Sequence, residues 1–194
     1  MKKALLLFIL IIPVAALSQT TKPIDGFMTV PFGSDSALVK KAFLSKGAKE
    51  DYSVTTKDFI GFKDFIFSDR KVSLCIVKFF NNKAYEADFI FRDFDQDNAL
   101  SYYDDLAGDI SAVYGQGELT NNFGKSETNS YRIIHLQEGD ETAKTLWTSD
   151  NSHGLALEFL RLDNSLHMSL IYIQLQYQDI TLRNLNRPKN QADF

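Results

Sequence analysis

The feature that most constrains the fold is a series of short segments in which apolar residues recur at every second position. In the segment Tyr85–Arg92, Ala87, Phe89 and Phe91 alternate with mostly charged residues. This period of two is typical of a strand with one buried and one solvated face in an antiparallel sheet. The preceding segment, Val72–Phe80, is apolar on both faces and is predicted to be a central strand.

Similar patterns predict further strands on both sides of this pair. The stretch Gly26–Gly33 is predicted to be a short strand that ends at a turn, and Asn81-Asn82-Lys83 is a turn between two strands. The other predicted strands are Phe59–Phe67, Tyr131–Leu136, Thr142–Thr148, Leu155–Leu162 and His167–Tyr177. Residues 117–130 are polar and are predicted to form a mobile loop or an edge hairpin.

Two segments instead show the helical spacing of three and four. The first is predicted near residues 35–46, with Ser34 as its N-cap and Gly47 at its end. The second begins after Asp97 or Asn98 and ends at Gly115. Its apolar stripe consists of Leu100, Tyr103, Leu106, Ala107, Ile110, Val113 and Tyr114.

Each predicted helix precedes a group of predicted strands, and this order defines the expected fold. The sequence predicts an α+β protein with one antiparallel sheet, built from two helix-then-meander halves, with both helices packed on one face. No long linker separates the halves, so residues 19–186 are predicted to form a single domain. Residues 187–194 are expected to be a flexible tail.

The N-terminal residues have the pattern of an export signal. Lys2 and Lys3 precede the apolar run Ala4–Ala16, which is shorter than the ~20 residues that a membrane-spanning helix needs. Small residues then favour cleavage before Gln19, with cleavage after Ala16 and an uncleaved anchor as alternatives. We therefore expect a signal peptide at residues 1–18 and a periplasmic or secreted chain that does not span the membrane after cleavage. No cysteine lies near the cleavage site, so a lipid anchor is not expected.

Composition excludes several classes of partner and chemistry. The formal net charge of −4 argues against nucleic-acid binding, because phosphate backbones would be repelled. The single cysteine, Cys75, excludes a disulfide framework and a multi-cysteine zinc site. Its position within a predicted buried strand predicts an unreactive thiol.

Short motifs along the chain resemble a known group of proteins. They are Phe27–Ser34, Val39-Lys40-Lys41, Tyr114-Gly115, and the strands that contain Trp147 and Tyr177. This layout resembles small exported, mostly uncharacterised proteins of the Bacteroides group. The helix-then-meander order is also similar to β-lactamase-inhibitor-protein-like domains and to small outer-membrane assembly lipoproteins. These resemblances imply an exported α+β domain and imply no catalytic residues.

One acidic stretch has the spacing of a calcium-binding loop. Its oxygen-bearing residues at loop positions 1, 3, 5, 9 and 12 are Asp93, Asp95, Asp97, Ser101 and Asp104. Asn98 stands where the loop's sharp turn usually has glycine, and Asp104 replaces the usual bidentate glutamate. The alternative is a strand end followed by a helix N-terminus, where acidic residues favour the helix dipole.

No motif in the sequence predicts a catalytic site. Gly124-Lys125-Ser126 matches only the end of a phosphate-binding loop, because Leu119 occupies the position of its first glycine. The histidines, His135, His153 and His167, do not have the spacing of a local zinc chelate. His135 and His167 are predicted in strands and His153 in a turn. No cofactor and no catalytic residue is therefore predicted.

The expected function is binding rather than catalysis. Tyr102, Tyr131 and Trp147 are the candidate aromatic residues of an exposed ligand or partner surface. We expect a non-enzymatic binding domain of the cell envelope whose partner is a protein or a glycan. Two alternatives stay open: an envelope hydrolase whose site assembles only in three dimensions, and a calcium-dependent binding module that uses residues 93–104.

Overall fold

A large antiparallel sheet organises the chain in the computed structural model, which describes residues 21–123, 128–149, 152–162 and 165–177. The strands are β1 (Gly26–Phe27), β2 (Val30–Pro31), β3 (Lys49–Asp51), β4 (Phe59–Lys63), β5 (Phe65–Phe67), β6 (Arg70–Val72), β7 (Leu74–Phe80), β8 (Lys83–Phe91), β9 (Glu118–Asn121), β10 (Ala143–Ser149), β11 (His153–Leu162) and β12 (Ser165–Gln174). The helices are α1 (Ser36–Ser45), α2 (Ala99–Tyr114) and α3 (Asn129–Glu138), with single 3₁₀ turns at Gln96–Asn98 and Leu175–Tyr177.

Eight strands pair in the order β3-β4-β7-β8-β12-β11-β10-β9, and every pairing is antiparallel. The four strands that follow α1 form one half of the sheet, and the four that follow α2 form the other. The halves join through β8 and β12 at the centre. Two small hairpins, β1–β2 and β5–β6, lie outside this order. The mixed α+β class and the antiparallel sheet are as the sequence predicts.

One face of the sheet, here called the inner face, is buried along its central strands. Side chains opposite one another on adjacent strands form a row with no solvent exposure: Phe62, Cys75, Phe89, Leu170 and Leu157. Burial of such side chains supplies about 1.5–3 kcal/mol each, which is the main force that holds the helices to the sheet.

Both predicted helices pack on this inner face. From α1, the Phe43 ring stacks on Phe62 with the ring centroids 4.2 Å apart. From α2, the Tyr103 hydroxyl lies 2.8 Å from Thr145 Oγ1 and donates a 3.1 Å hydrogen bond to the Leu157 carbonyl oxygen. The prediction of two helices on one face of one sheet is therefore confirmed.

A third helix replaces one predicted strand. Residues 131–136 were expected to be extended, but they lie within α3. Thr128 caps its N-terminus, and Gly139 ends it in the left-handed conformation at φ 86°. Ile133 and Leu136, three positions apart, bury one helix face against a cluster that includes Leu166 of β12. Residues three positions apart lie on the same face of a helix, so both side chains are buried here. In a strand, the same two side chains would point to opposite faces.

Smaller differences concern the ends of elements. The predicted strand Phe59–Phe67 is divided at Asp64, whose φ of 60° turns the chain out of β4 into the β5–β6 hairpin. The N-cap of α1 is Asp35 rather than Ser34, because the Asp35 carboxylate accepts the Leu38 N–H at 2.8 Å. In the polar stretch 117–130, residues 118–121 form β9, an edge strand paired with β10.

Three predicted segments lie outside the described residues: the signal peptide at 1–18, residues 124–126 and the tail at 187–194. None of the helices in the described part of the chain is long and apolar enough to cross a bilayer.

Candidate functional site

The most extended candidate surface is the face of the sheet opposite the helices, here called the outer face. Its side chains alternate with those of the inner face along every strand. One row crosses five strands: Ile76, Asp88, Ile171, Ala156 and Leu146. Ile76 and Ile171 remain partly exposed, and Leu146 is 37% exposed. All three helices lie on the inner side, so the outer face presents aliphatic side chains that no described helix covers.

Two ion pairs bridge neighbouring strands on this face. Lys78 of β7 pairs with Glu86 of β8, whose side chain is nearly inaccessible. Lys144 of β10 pairs with Glu158 of β11 at 2.7 Å. In each ion pair, the strand register places the lysine directly opposite the glutamate. Opposite charges in this arrangement stabilise a sheet. The outer face therefore combines aliphatic surface with fixed charges of both signs.

A buried polar contact lies between these pairs. The fully buried Ser169 hydroxyl donates to Asp88 Oδ1 at 2.5 Å across β12 and β8. Burial raises the pKa of Asp88 from 3.8 to about 6, while Ser169 and Lys78 act in the opposite direction and Glu86 and Glu158 add to the rise. Asp88 is thus a titratable group at the centre of the outer face.

The three aromatic residues predicted for a binding surface occupy separate places. Trp147 does not lie at the surface: it points to the inner face, is 2% exposed and donates its Nε1–H to Ser111 Oγ at 3.2 Å. This corrects the expectation of an exposed Trp147, because the register of β10 aims its side chain into the core. Tyr102 of α2 is half-buried, and its ring lies 5.5 Å from the Arg70 guanidinium. Tyr131 of α3 is 46% exposed.

The acidic stretch predicted as a calcium loop uses its side chains in other contacts. Asp93 pairs with Lys71 at 2.6 Å. Asp95 caps the 3₁₀ turn and accepts the Asn98 side-chain amide at 2.6 Å. Asp97 belongs to that turn, whereas Ser101 and Asp104 lie within α2. Burial first, and then neighbouring Asp105, raise the pKa of the Asp104 carboxyl. The arrangement is that of a strand end followed by a capped 3₁₀ turn and the first residues of α2.

A different group of metal-ligating side chains comes together at the end of α3. His135, Glu138 and Asp140 each offer a ligand atom, and these atoms lie within 4.8 Å of one another. This is the one such group of three among the residues that the structure describes. Sequence reasoning missed it because a strand at 131–136 would separate His135 from Glu138, whereas a helix places positions i and i+3 on the same face. Thr128 and Gly139 were the cap signals that could have indicated the helix.

The other two histidines do not join this group. His153, predicted in a turn, is the first residue of β11 and stacks on Phe32 with the ring centroids 5.1 Å apart. His167 lies in β12, as expected, and is 5% exposed.

Two remaining features bear on the hydrolase alternative. A cavity of about 160 Å³ lies beside the C-terminal half of α2, and Leu106, Ile110 and Tyr172 are among its mainly apolar lining residues. This volume is below the ~300 Å³ at which ligand pockets usually begin. A second cavity, near Lys22 and Tyr114, reaches about 310 Å³, but the described residues that line it include no histidine, cysteine or carboxylate. Cys75 lies on the inner face, where burial raises the pKa of its thiol far above the ordinary range. A buried neutral thiol is a poor nucleophile.

No protein-family model, curated protein or solved structure matches this chain.

Proposed function

We propose that the protein is an exported, non-enzymatic domain of the cell envelope that binds another protein through its outer face. The observation that carries this proposal is the row across β7, β8, β12, β11 and β10, in which the aliphatic side chains of Ile76, Ile171 and Leu146 are accessible to solvent. Two inter-strand ion pairs flank this row. Contiguous apolar surface with a polar surround is typical of protein-binding sites.

The chemistry of the outer face favours a protein over a glycan as the partner. The outer positions of β11 and β12, and the outer positions 86, 88 and 90 of β8, hold no Phe, Tyr or Trp. The apolar contribution is aliphatic, which suits packing against apolar side chains of a second protein. The Lys144–Glu158 pair offers both signs of charge at the rim, so the matching partner surface is mainly aliphatic with its own acidic and basic groups.

Export is the second element of the proposal and rests on the sequence. The basic residues Lys2 and Lys3, the apolar run Ala4–Ala16 and the small residues before Gln19 support it. N-terminal sequencing of the protein recovered from its host should give Gln19 as the first residue. Recovery of a chain that begins at Met1 would contradict export by this route.

Site-specific photocrosslinking tests the binding surface. A benzophenone amino acid replaces Leu146 on the outer face, and a matched variant carries it at Leu38 of α1, which is 47% exposed. We expect irradiation of host cells to give a discrete protein adduct from position 146 and none of the same mass from position 38. Adducts at both positions in equal yield, or at position 38 alone, would contradict the proposal.

A charge reversal makes the same test more specific. Lys144→Glu replaces the Lys144–Glu158 attraction by repulsion on the outer face, where Lys144 is partly exposed. The position-146 adduct should fall at least about tenfold if this charge helps to recognise the partner. Lys41→Glu on α1, which is exposed, is the control and should leave the adduct unchanged. Circular dichroism establishes that both variants fold.

A further inference from the structure

The end of α3 brings an imidazole and two carboxylates to one point. His135 lies in the last turn of the helix, Glu138 is its final residue and Asp140 follows the Gly139 cap. Their side chains are 24%, 57% and 70% exposed, so the group lies at the surface and is open to ions from solvent.

The distances from the imidazole to each carboxylate are those found between two ligands of one metal ion. His135 Nδ1 lies 3.6 Å from Glu138 Oε2 and 3.6 Å from Asp140 Oδ2. These distances are too long for hydrogen bonds, which end near 3.2 Å for N–H···O. Two ligand atoms that are each about 2.1 Å from one Zn²⁺ are 3.6 Å apart when their angle at the metal is about 118°, which is close to tetrahedral. A metal ion would therefore fit between the imidazole and either carboxylate without movement. The two carboxylate oxygens lie within 4.8 Å of each other, so rotation of these exposed side chains would bring both to the same ion.

The backbone around the group is held from two other elements. The Arg161 guanidinium of β11 donates to the Glu138 carbonyl oxygen at 2.8 Å. The Asn122 side-chain amide donates to the Asp140 carbonyl oxygen at 3.1 Å. Because these contacts fix the main chain that carries Glu138 and Asp140, metal binding would order mainly side chains.

We propose that His135, Glu138 and Asp140 form a binding site for one divalent transition-metal ion, for which Zn²⁺ is the closest fit. Imidazole nitrogen and carboxylate oxygen are both ordinary zinc ligands, whereas Ca²⁺ and Mg²⁺ bind almost entirely through oxygen. Two carboxylates and a neutral imidazole balance the charge of a divalent cation. Three protein ligands leave the fourth tetrahedral position to water or to a side chain of a partner.

Calorimetric titration of the tag-free, metal-free protein with zinc chloride tests the site. We expect saturable binding of one Zn²⁺ per chain, with Ca²⁺ and Mg²⁺ bound at least about tenfold more weakly. His135→Gln and Asp140→Asn should each weaken zinc binding at least about tenfold. His153→Gln is the matched control, because it removes a histidine from another part of the fold, and it should leave zinc affinity unchanged.

Nuclear magnetic resonance locates the ion independently of the variants. Zinc should shift the ring resonances of His135 and the backbone amides of residues 135–140, and should leave those of His153 in place. Circular dichroism of each variant separates loss of a ligand from loss of the fold. The proposal is overturned if zinc shows no saturable binding, if His135→Gln binds zinc as tightly as the unaltered chain, or if calcium binds as tightly as zinc.

Discussion

Replacing Asp88 by asparagine should stabilise the protein at neutral pH. Burial raises the pKa of Asp88 from 3.8 to about 6, so the folded state resists losing this proton more than the unfolded chain does. The stability linked to Asp88 is therefore fully present below about pH 4 and is lost as the pH rises to about 6. At 1.36 kcal/mol per pH unit, the loss is at most about 3 kcal/mol.

The expected gain is smaller than this limit. Asp88 keeps some contact with solvent, and its carboxylate is attracted by Lys78, an interaction that asparagine lacks. Asparagine keeps an oxygen that can accept the Ser169 hydroxyl and is neutral at every pH. We therefore expect Asp88→Asn to raise the free energy of unfolding by about 1–2 kcal/mol at pH 7.5 and to leave it nearly unchanged at pH 4.

Urea denaturation at a series of pH values between 4 and 7.5 measures this difference. At each pH, the free energy of unfolding of the unaltered chain is subtracted from that of Asp88→Asn. This difference removes the contributions of all other titrating groups, because both proteins share them. The control is Asp105→Asn, an exposed position on α2, for which a difference below about 0.5 kcal/mol at every pH is expected. A difference between Asp88→Asn and the unaltered chain that stays flat with pH, or that favours aspartate increasingly above pH 6, would refute the reasoning.

Three further predictions concern two glycines, the buried hydroxyl of Tyr103 and the buried thiol of Cys75. In Gly108→Ala of α2, the new Cβ meets nothing within 4 Å, so the substitution should raise the free energy of unfolding by about 0.5–1 kcal/mol. In Gly26→Ala, the new Cβ would lie 2.1 Å from a backbone carbonyl oxygen, so this substitution should lower the free energy of unfolding. Equal effects of the two substitutions in thermal unfolding would contradict this expectation. Tyr103→Phe removes the buried hydroxyl bonded to Thr145 and should cost about 1–2 kcal/mol in urea denaturation, and no measurable cost would count against that bond. Cys75 should react with a thiol reagent only as fast as the chain unfolds, so rapid labelling of the native protein would disprove its burial.

The sequence predicts the sheet and the first two helices because their signals are strong and local. The alternation in Tyr85–Arg92 continues over several residue pairs, and β8 forms there. The apolar stripe of α2 continues over several helical turns, and the helix forms where it is expected. The helix α3 was missed because Tyr131, Ile133 and Ile134 favour strands as single residues. Only the caps Thr128 and Gly139 and the spacing of Ile133 and Leu136 indicate a helix there.

The candidate site depends on information that sequence alone does not contain. Glu86 and Asp88 alternate with apolar residues and look like solvated positions, yet neighbouring strands bury much of both. Their partners, Lys78 and Ser169, are known only once the register of β7, β8 and β12 is known. The exposure of Trp147 is likewise not readable from the sequence. It depends on which face of β10 packs against the helices, and that face carries Trp147.

The most direct test of the central claim is chemical labelling of the outer face inside and outside the cell. Leu146→Cys places a thiol on the outer face and Leu38→Cys places one on α1, while the native Cys75 is buried. In the purified protein, a maleimide should label both introduced cysteines. In intact host cells, the account predicts that position 146 is protected by the bound partner and position 38 is still labelled. Equal labelling of both positions in cells would contradict a protein-binding role for the outer face.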